Sequence, residues 1–185
     1  DEAYLDVTNN NWREPLATKI AKTLKAQILE QTSLTASAGV APNKFLAKIA
    51  SDWRKPDGLT VVPHQRVEAF LQQLPVESLW GVGPITAGRL RKIGITRLTD
   101  VRRMADRDLR KIVGTQTGRL KLLARGIDNR AVVPNRIVKS HSSERTYACD
   151  LSDLISIKTE IERMAKANAD WLSNKNMSAR TVTVK

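Results

Sequence analysis

The sequence predicts an α+β chain of three successive segments, and three observations predict it. In residues 1–62 a short alternating apolar run is followed by helical spacing, and the pair then repeats. Residues 63–137 carry helical stretches of modest length, punctuated by Gly81, Gly83, Gly94, Gly114 and Gly126. Residues 138–185 read as strand, helix, strand.

In the first segment "AYLDVT" alternates as a strand, and Pro15 sits where a first helical turn needs no N–H, ahead of Leu16, Ile20, Leu24 and Ile28. "LTASAGVA" is a second strand of small residues. Asn43 then caps the helix "KFLAKIASDW", with Phe45, Leu46, Ile49 and Trp53 on its buried side. "KPDG" is a turn, and "LTVV" returns as a strand before Pro63. In the middle segment helices are predicted at 64–73, 76–80, 84–93, 98–103, 106–112 and 116–125, an all-helical domain. "IDNRAVVPNRIV" has no period and contains Pro134, so 127–138 is a linker. A strand at 139–147, an amphipathic helix from Asp153 to about Ser173 and a strand "ARTVTVK" complete the chain. That last sheet is half built, and Asp1 falls inside a strand-like pattern with no initiator Met, so a longer protein is expected.

The chain has 185 residues, 41% of them apolar, enough for real cores. No run approaches the roughly 18 to 20 apolar residues of a membrane span, and no signal segment stands at the front, which argues for the cytoplasm. The lone Cys149 excludes an internal disulfide framework. Net charge is +12, concentrated in 63–137, where 15 basic residues face six acidic ones. That focus points to a polyanion, and nucleic acid is the usual one. Aromatic residues make up only 4%, against a single-strand binder built on base stacking.

"LWGVGPITAGRLRKIGI" is the most informative local stretch. Gly81 and Gly83 around Val82 allow a tight backbone turn, Pro84 opens the next helix, and Thr86 lies in its first turn. Amides at such a helix start carry partial positive charge and suit a phosphate oxygen, gripping a DNA backbone without reading sequence. The stretch resembles the helix-hairpin-helix motif, with Arg89, Arg91 and Lys92 as longer-range helpers. "IVGTQTGRL" is either a degraded second copy or plain packing. In "TASAGVAPNKFLAKIASDWRKPDG", Lys44 and Lys48 share one helix face and Lys55 lies just past its end. As charges alone they read as a solvated face, or as a meeting point for a triphosphate or a duplex backbone.

Taken in order, "DEAYLDVT", "TASAGVAPNKFLAKIASDWRKPDG", "LWGVGPITAGRL" and "KSHSSERT" resemble the Y-family translesion DNA polymerases, most closely the bacterial DinB group. The resemblance implies that 1–62 is the C-terminal part of a palm, 63–137 a thumb with its linker, and 138–185 the first half of a little finger. It implies that Asp1 and Glu2 are catalytic ligands of two Mg²⁺ ions, and that Lys55 touches the incoming dNTP. Gly81, Val82, Gly83, Thr86, Arg89, Lys44, Lys48, Ser142 and Arg145 are then expected at primer-template DNA, with Ser143 and Thr146 beside them. Hard cations take oxygen ligands, and two of them align a 3′-hydroxyl with an α-phosphate. Adjacent strand residues point to opposite faces, so Asp1 and Glu2 converge only if the backbone bends. Asp6 is a structural acid on this reading. A further aspartate, the fingers and any sliding-clamp contact are expected outside the chain, which alone would bind DNA without polymerising. Two alternatives compete: a non-catalytic DNA-binding relative, and a helix-hairpin-helix repair module that leaves 1–58 unexplained.

Overall fold

The computed structural model describes residues 2–135 and 137–185. They fall into two compact units, Asp1–Val132 and Val133–Lys185.

The first unit opens with an irregular segment that turns at Asn10–Arg13, then helix α1 (Ala17–Thr32), strand β1 (Ala38–Val40), helix α2 (Lys44–Asp52) and strand β2 (Leu59–Val61). β1 and β2 pair in parallel, Ala38 opposite Leu59 and Val40 opposite Val61, with α2 as the crossover between them. Asn43 caps α2 as its position predicts, its side chain accepting from the Leu46 N–H at 3.0 Å. Phe45, Leu46, Ile49 and Ala50 of α2 are buried. Trp53 is not: it ends the helix 41% exposed, with one edge against Phe70. A two-stranded sheet is also too narrow to cover α1, whose 16 residues run about 24 Å. Ile20 alone of its apolar stripe is buried, while Leu16 and Ile28 face outward.

Short helices follow: a 3₁₀ turn (His64–Arg66) into α3 (Val67–Leu71), a 3₁₀ turn (Val76–Ser78), α4 (Pro84–Lys92), a 3₁₀ turn (Leu98–Arg103), α5 (Asp106–Val113), a 3₁₀ turn (Gly114–Gln116) and α6 (Thr117–Leu123). Each predicted middle-segment helix has its counterpart here. One core joins them to α2, running from Phe45 and Leu46 through Leu71, Leu79 and Leu90 to Leu120 and Ala124. The carboxylate of Glu68 and the guanidinium of Arg102 tie α3 to the Leu98–Arg103 turn by two bonds of 2.9 Å.

The second unit holds helix α7 (Leu154–Asn174), started by the Asp153 side chain accepting from Ser156 N–H at 2.8 Å. Residues 141–147 meet it, His141 stacked on Trp171, Ser143 bonded to Asn168 and Tyr147 bonded to Glu160. The strands predicted at 3–8, 139–147 and 179–185 do not form among the described residues. The reason is pairing. An alternating segment becomes a strand only against a neighbouring ladder, and the sheet described here consists of β1 and β2.

Candidate nucleic-acid and nucleotide interface

The hairpin before α4 is built as its glycines predict. Leu79 leaves the preceding 3₁₀ turn in extended conformation, and the Val82 N–H closes a tight turn on the Leu79 carbonyl at 3.0 Å. Gly81 sits at φ +96°, a backbone region that side chains resist. Gly83 then enters α4 at φ −78°, ψ 177°, without any side-chain cap, and Pro84 is the first helical residue. Val82 lies between the two glycines. Its side chain is buried in the core and its N–H is spent on Leu79, so the turn presents Gly81 and Gly83 outward instead. Thr86 is half-buried, Arg89 is exposed, and Arg91 is held by Glu77. The hairpin at 114–117 is closed by the buried Thr117 hydroxyl donating to the Gly114 carbonyl at 2.8 Å.

Each of the three lysines of the second motif has a partner. Lys44 donates to the Ala131 carbonyl at 2.7 Å and lies over the Tyr4 ring. Lys48 is shared between Glu2, with which it is in contact, and Asp52 at 3.0 Å. Lys55 folds back to the other oxygen of Asp52 at 2.5 Å. The bond that Lys48 donates to Glu2 holds the pKa of its ammonium above the ordinary value, against some burial. Burial pushes Asp52 up, yet Lys55 and Lys48 together bring it below the usual carboxylate range. Glu2, Lys48, Asp52 and Lys55 thus form a continuous run of alternating charge.

Asp1 lies outside the described residues, and so does its convergence with Glu2. Glu2 itself is exposed and carries a cation in this structure, the Lys48 ammonium. Its carboxylate has the oxygen-donor chemistry a hard divalent ion takes. Among the described residues no cluster of three or more His, Cys, Asp or Glu side chains is placed to hold a metal. Asp6, exposed, accepts from the Thr8 N–H at 3.0 Å.

One hub escaped the sequence reading. Asp128, its side chain 3% exposed, accepts from the Phe45 N–H and from the Arg130 guanidinium at 2.7 and 2.8 Å. Arg130 in turn lies 4.5 Å from the centre of the Trp80 ring, just before the hairpin. Asn43 adds a bond to the Gly126 carbonyl at 2.8 Å. The first half of the predicted linker is therefore fastened to α2. Only "IDNR", an acid two residues before an arginine, hinted at it.

The bonds from Arg130 hold the Asp128 carboxyl below its usual range despite burial. Its contribution is fully present above the unfolded carboxylate value and is lost as pH falls through the lower folded value. Asp128→Asn is expected to cost about 1–2 kcal/mol at neutral pH, discounted for the solvent on Arg130. The gap to wild type should close in melts taken at acid pH. A gap that persists there would show that the charge is not what matters.

In the second unit Ser142 and Arg145 are exposed along a cleft of about 410 Å³, shared with Ser143, Glu144, Arg163, Met164 and Ala167. Arg145 is loosely paired with Glu160 at 3.6 Å. Glu160 also accepts from the Tyr147 hydroxyl at 2.8 Å and from Arg163. Among the described residues no helix is long and apolar enough to cross a membrane.

Comparison with known proteins places this geometry. Residues 1–52 match the impB/mucB/samB family, 64–95 the IMS family HHH motif, and 138–185 the impB/mucB/samB family C-terminal domain. The chain is 56% identical over 151 residues to DNA polymerase IV of Stenotrophomonas maltophilia strain R551-3, covering 82% of the chain and 42% of that protein. It is 46% identical over 185 residues to DNA polymerase IV of Xanthomonas campestris pv. campestris strain 8004, covering 100% of the chain and 51% of that protein. The crystal structure of DinB from Sulfolobus solfataricus superposes with a TM-score of 0.66 at 39% identity, covering 71% of the chain and 39% of that one. The chain thus spans about half the length of the curated relatives it matches.

Proposed function

Because the chain belongs to the impB/mucB/samB family, in its Y-family, DinB-type branch, we propose that it carries palm, thumb and little-finger segments of a low-fidelity, template-directed DNA polymerase acting across damaged bases in the cytoplasm. What carries this reading is order: three family segments follow one another along a chain that is similar from end to end to a DNA polymerase IV.

On this reading the Gly81–Gly83 turn and the start of α4 take a phosphate of the duplex, and Arg89 supplies charge from the same helix. Lys44 and Lys48 reach the DNA only by leaving their present partners. Ser142 and Arg145 stand where a template backbone would run along the second unit. Lys55 takes the polyphosphate of a dNTP. Asp1 and Glu2 would supply carboxylate oxygens to two Mg²⁺ ions, which offset charge developing at the transferred phosphoryl group.

The remaining half of the polymerase fold is required for extension, so the chain by itself binds primer-template without extending it. The test is a chimera in which these residues replace their counterparts in the Stenotrophomonas protein. It is expected to extend a primer with Mg²⁺ and dNTPs, while the isolated chain only retains the DNA. A chimera that binds primer-template as tightly as its parent yet adds no nucleotide would favour a non-catalytic DNA-binding relative.

A further inference from the structure

The run from Glu2 to Lys55 crosses two proposed roles, the acid at its head and the lysine at its tail. Asp52 sits between them. It is the last residue of α2, four positions after Lys48 and three before Lys55, so the last turn of the helix brings Lys48, and the turn that follows it brings Lys55, to one carboxylate. One oxygen takes Lys48 at 3.0 Å and the other Lys55 at 2.5 Å. Lys48 is in turn shared with Glu2, and its side chain is only 22% exposed. That of Lys55 is 56% exposed.

We propose that Asp52 is a positioning residue that gates Lys55, and that Lys48 couples this gate to whichever cation Glu2 holds. With Lys48 shared between Glu2 and one oxygen of Asp52, the other oxygen draws Lys55 back onto the end of α2. A divalent cation at Glu2 displaces the Lys48 ammonium and repels it, leaving Asp52 as its carboxylate partner. Lys48 then competes with Lys55 for Asp52, and Lys55 is released toward a polyphosphate. The coupling is reciprocal: a polyphosphate that captures Lys55 strengthens the hold of Asp52 on Lys48 and exposes Glu2.

The inference rests on the reading of Lys55 as a polyphosphate contact, and the test separates the two. Binding of inorganic tripolyphosphate to the chain is measured without metal. Asp52→Asn keeps the shape and removes the charge, and is expected to tighten binding roughly two- to fivefold, the scale of an exposed ion pair. In a Lys55→Met background the same change should do nothing. A gain of equal size in that background would mean long-range charge alone, and the gate would fall. If Lys55→Met weakens binding but Asp52→Asn leaves it unchanged, the contact stands and the gate falls. If Lys55→Met has no effect, both fall.

A second measurement needs no variant. In NMR spectra of the lysine ammonium groups, Mg²⁺ alone is expected to move the Lys48 and Lys55 signals together. With Asp52→Asn the Lys55 signal should stay still. A Lys55 signal that ignores Mg²⁺ in the wild-type chain would overturn the coupling, whether or not Lys48 responds.

Discussion

Gly39→Ala is expected to destroy the cooperative fold of the first unit, at a cost of about 3 kcal/mol or more. β1 runs so close to α2 that a Cβ at Gly39 would lie 2.0 Å from the Ala47 carbonyl oxygen, 2.5 Å from the Ser51 nitrogen and 2.9 Å from the Ala50 Cβ. Two of these neighbours are backbone of a helix that cannot retreat. Its opposite side carries Phe45 and Leu46, both fully buried in the core that also holds α3, α4 and α6. Relief would require β1 to leave β2, and the sheet described here has no other strand to compensate. Gly88→Ala on α4 is the control, because a Cβ there meets nothing within 4 Å. Alanine inside a helix is preferred to glycine, so this variant should melt no lower than wild type. A Gly39→Ala chain that melts with it would mean that strand and helix stand farther apart than described. The contact has functional weight on the proposed reading, since it fixes the height of α2 over the sheet and with it the places of Lys48 and Lys55.

The helices were legible because their signals are local. Asn43 announces α2, Pro84 announces α4 and Asp153 announces α7, each by chemistry within one turn of the residue itself. The strands at 3–8, 139–147 and 179–185 were misread because alternation records which side of a segment is apolar. It does not record whether a partner lies alongside. Trp53 fitted the helical stripe of α2 by spacing, yet it falls on the cap, where the core has already ended. The site divides in the same way. Gly81 and Gly83 were legible as turn formers, and the bond from the Val82 N–H to the Leu79 carbonyl that closes the turn was not. The pairing of Glu2 with Lys48 spans 46 positions, and that of Phe45 with Asp128 spans 83. Such contacts are products of the completed fold, and no spacing rule reaches them.

Gly83→Val should weaken binding to duplex DNA of any sequence by about tenfold or more while lowering the melting temperature only slightly. The two halves of that expectation have separate causes. Gly83 has φ −78° and ψ 177°, extended backbone that valine adopts readily, and a Cβ there meets nothing within 4 Å. The fold therefore loses only the modest preference for glycine over valine at the cap of α4. A phosphate loses more, because the isopropyl group would occupy the space in front of the first amides of α4 and keep the oxygen beyond hydrogen-bond reach. Losing one bond to a charged acceptor costs roughly 1.5–3 kcal/mol, which sets the tenfold floor. Gly81→Val supplies the contrast: at φ +96° the side chain strains the turn itself, so stability and binding should fall together. Affinity for the wild-type chain should drop steeply with salt, by roughly 0.7 to 0.9 in logarithmic slope for each phosphate neutralised. In Gly83→Val that slope should be shallower by about one phosphate. If the valine chain binds DNA as the wild type does, the glycine turn is only a connection between helices. In that case the phosphate grip must be sought elsewhere on the basic face, beginning with Arg89.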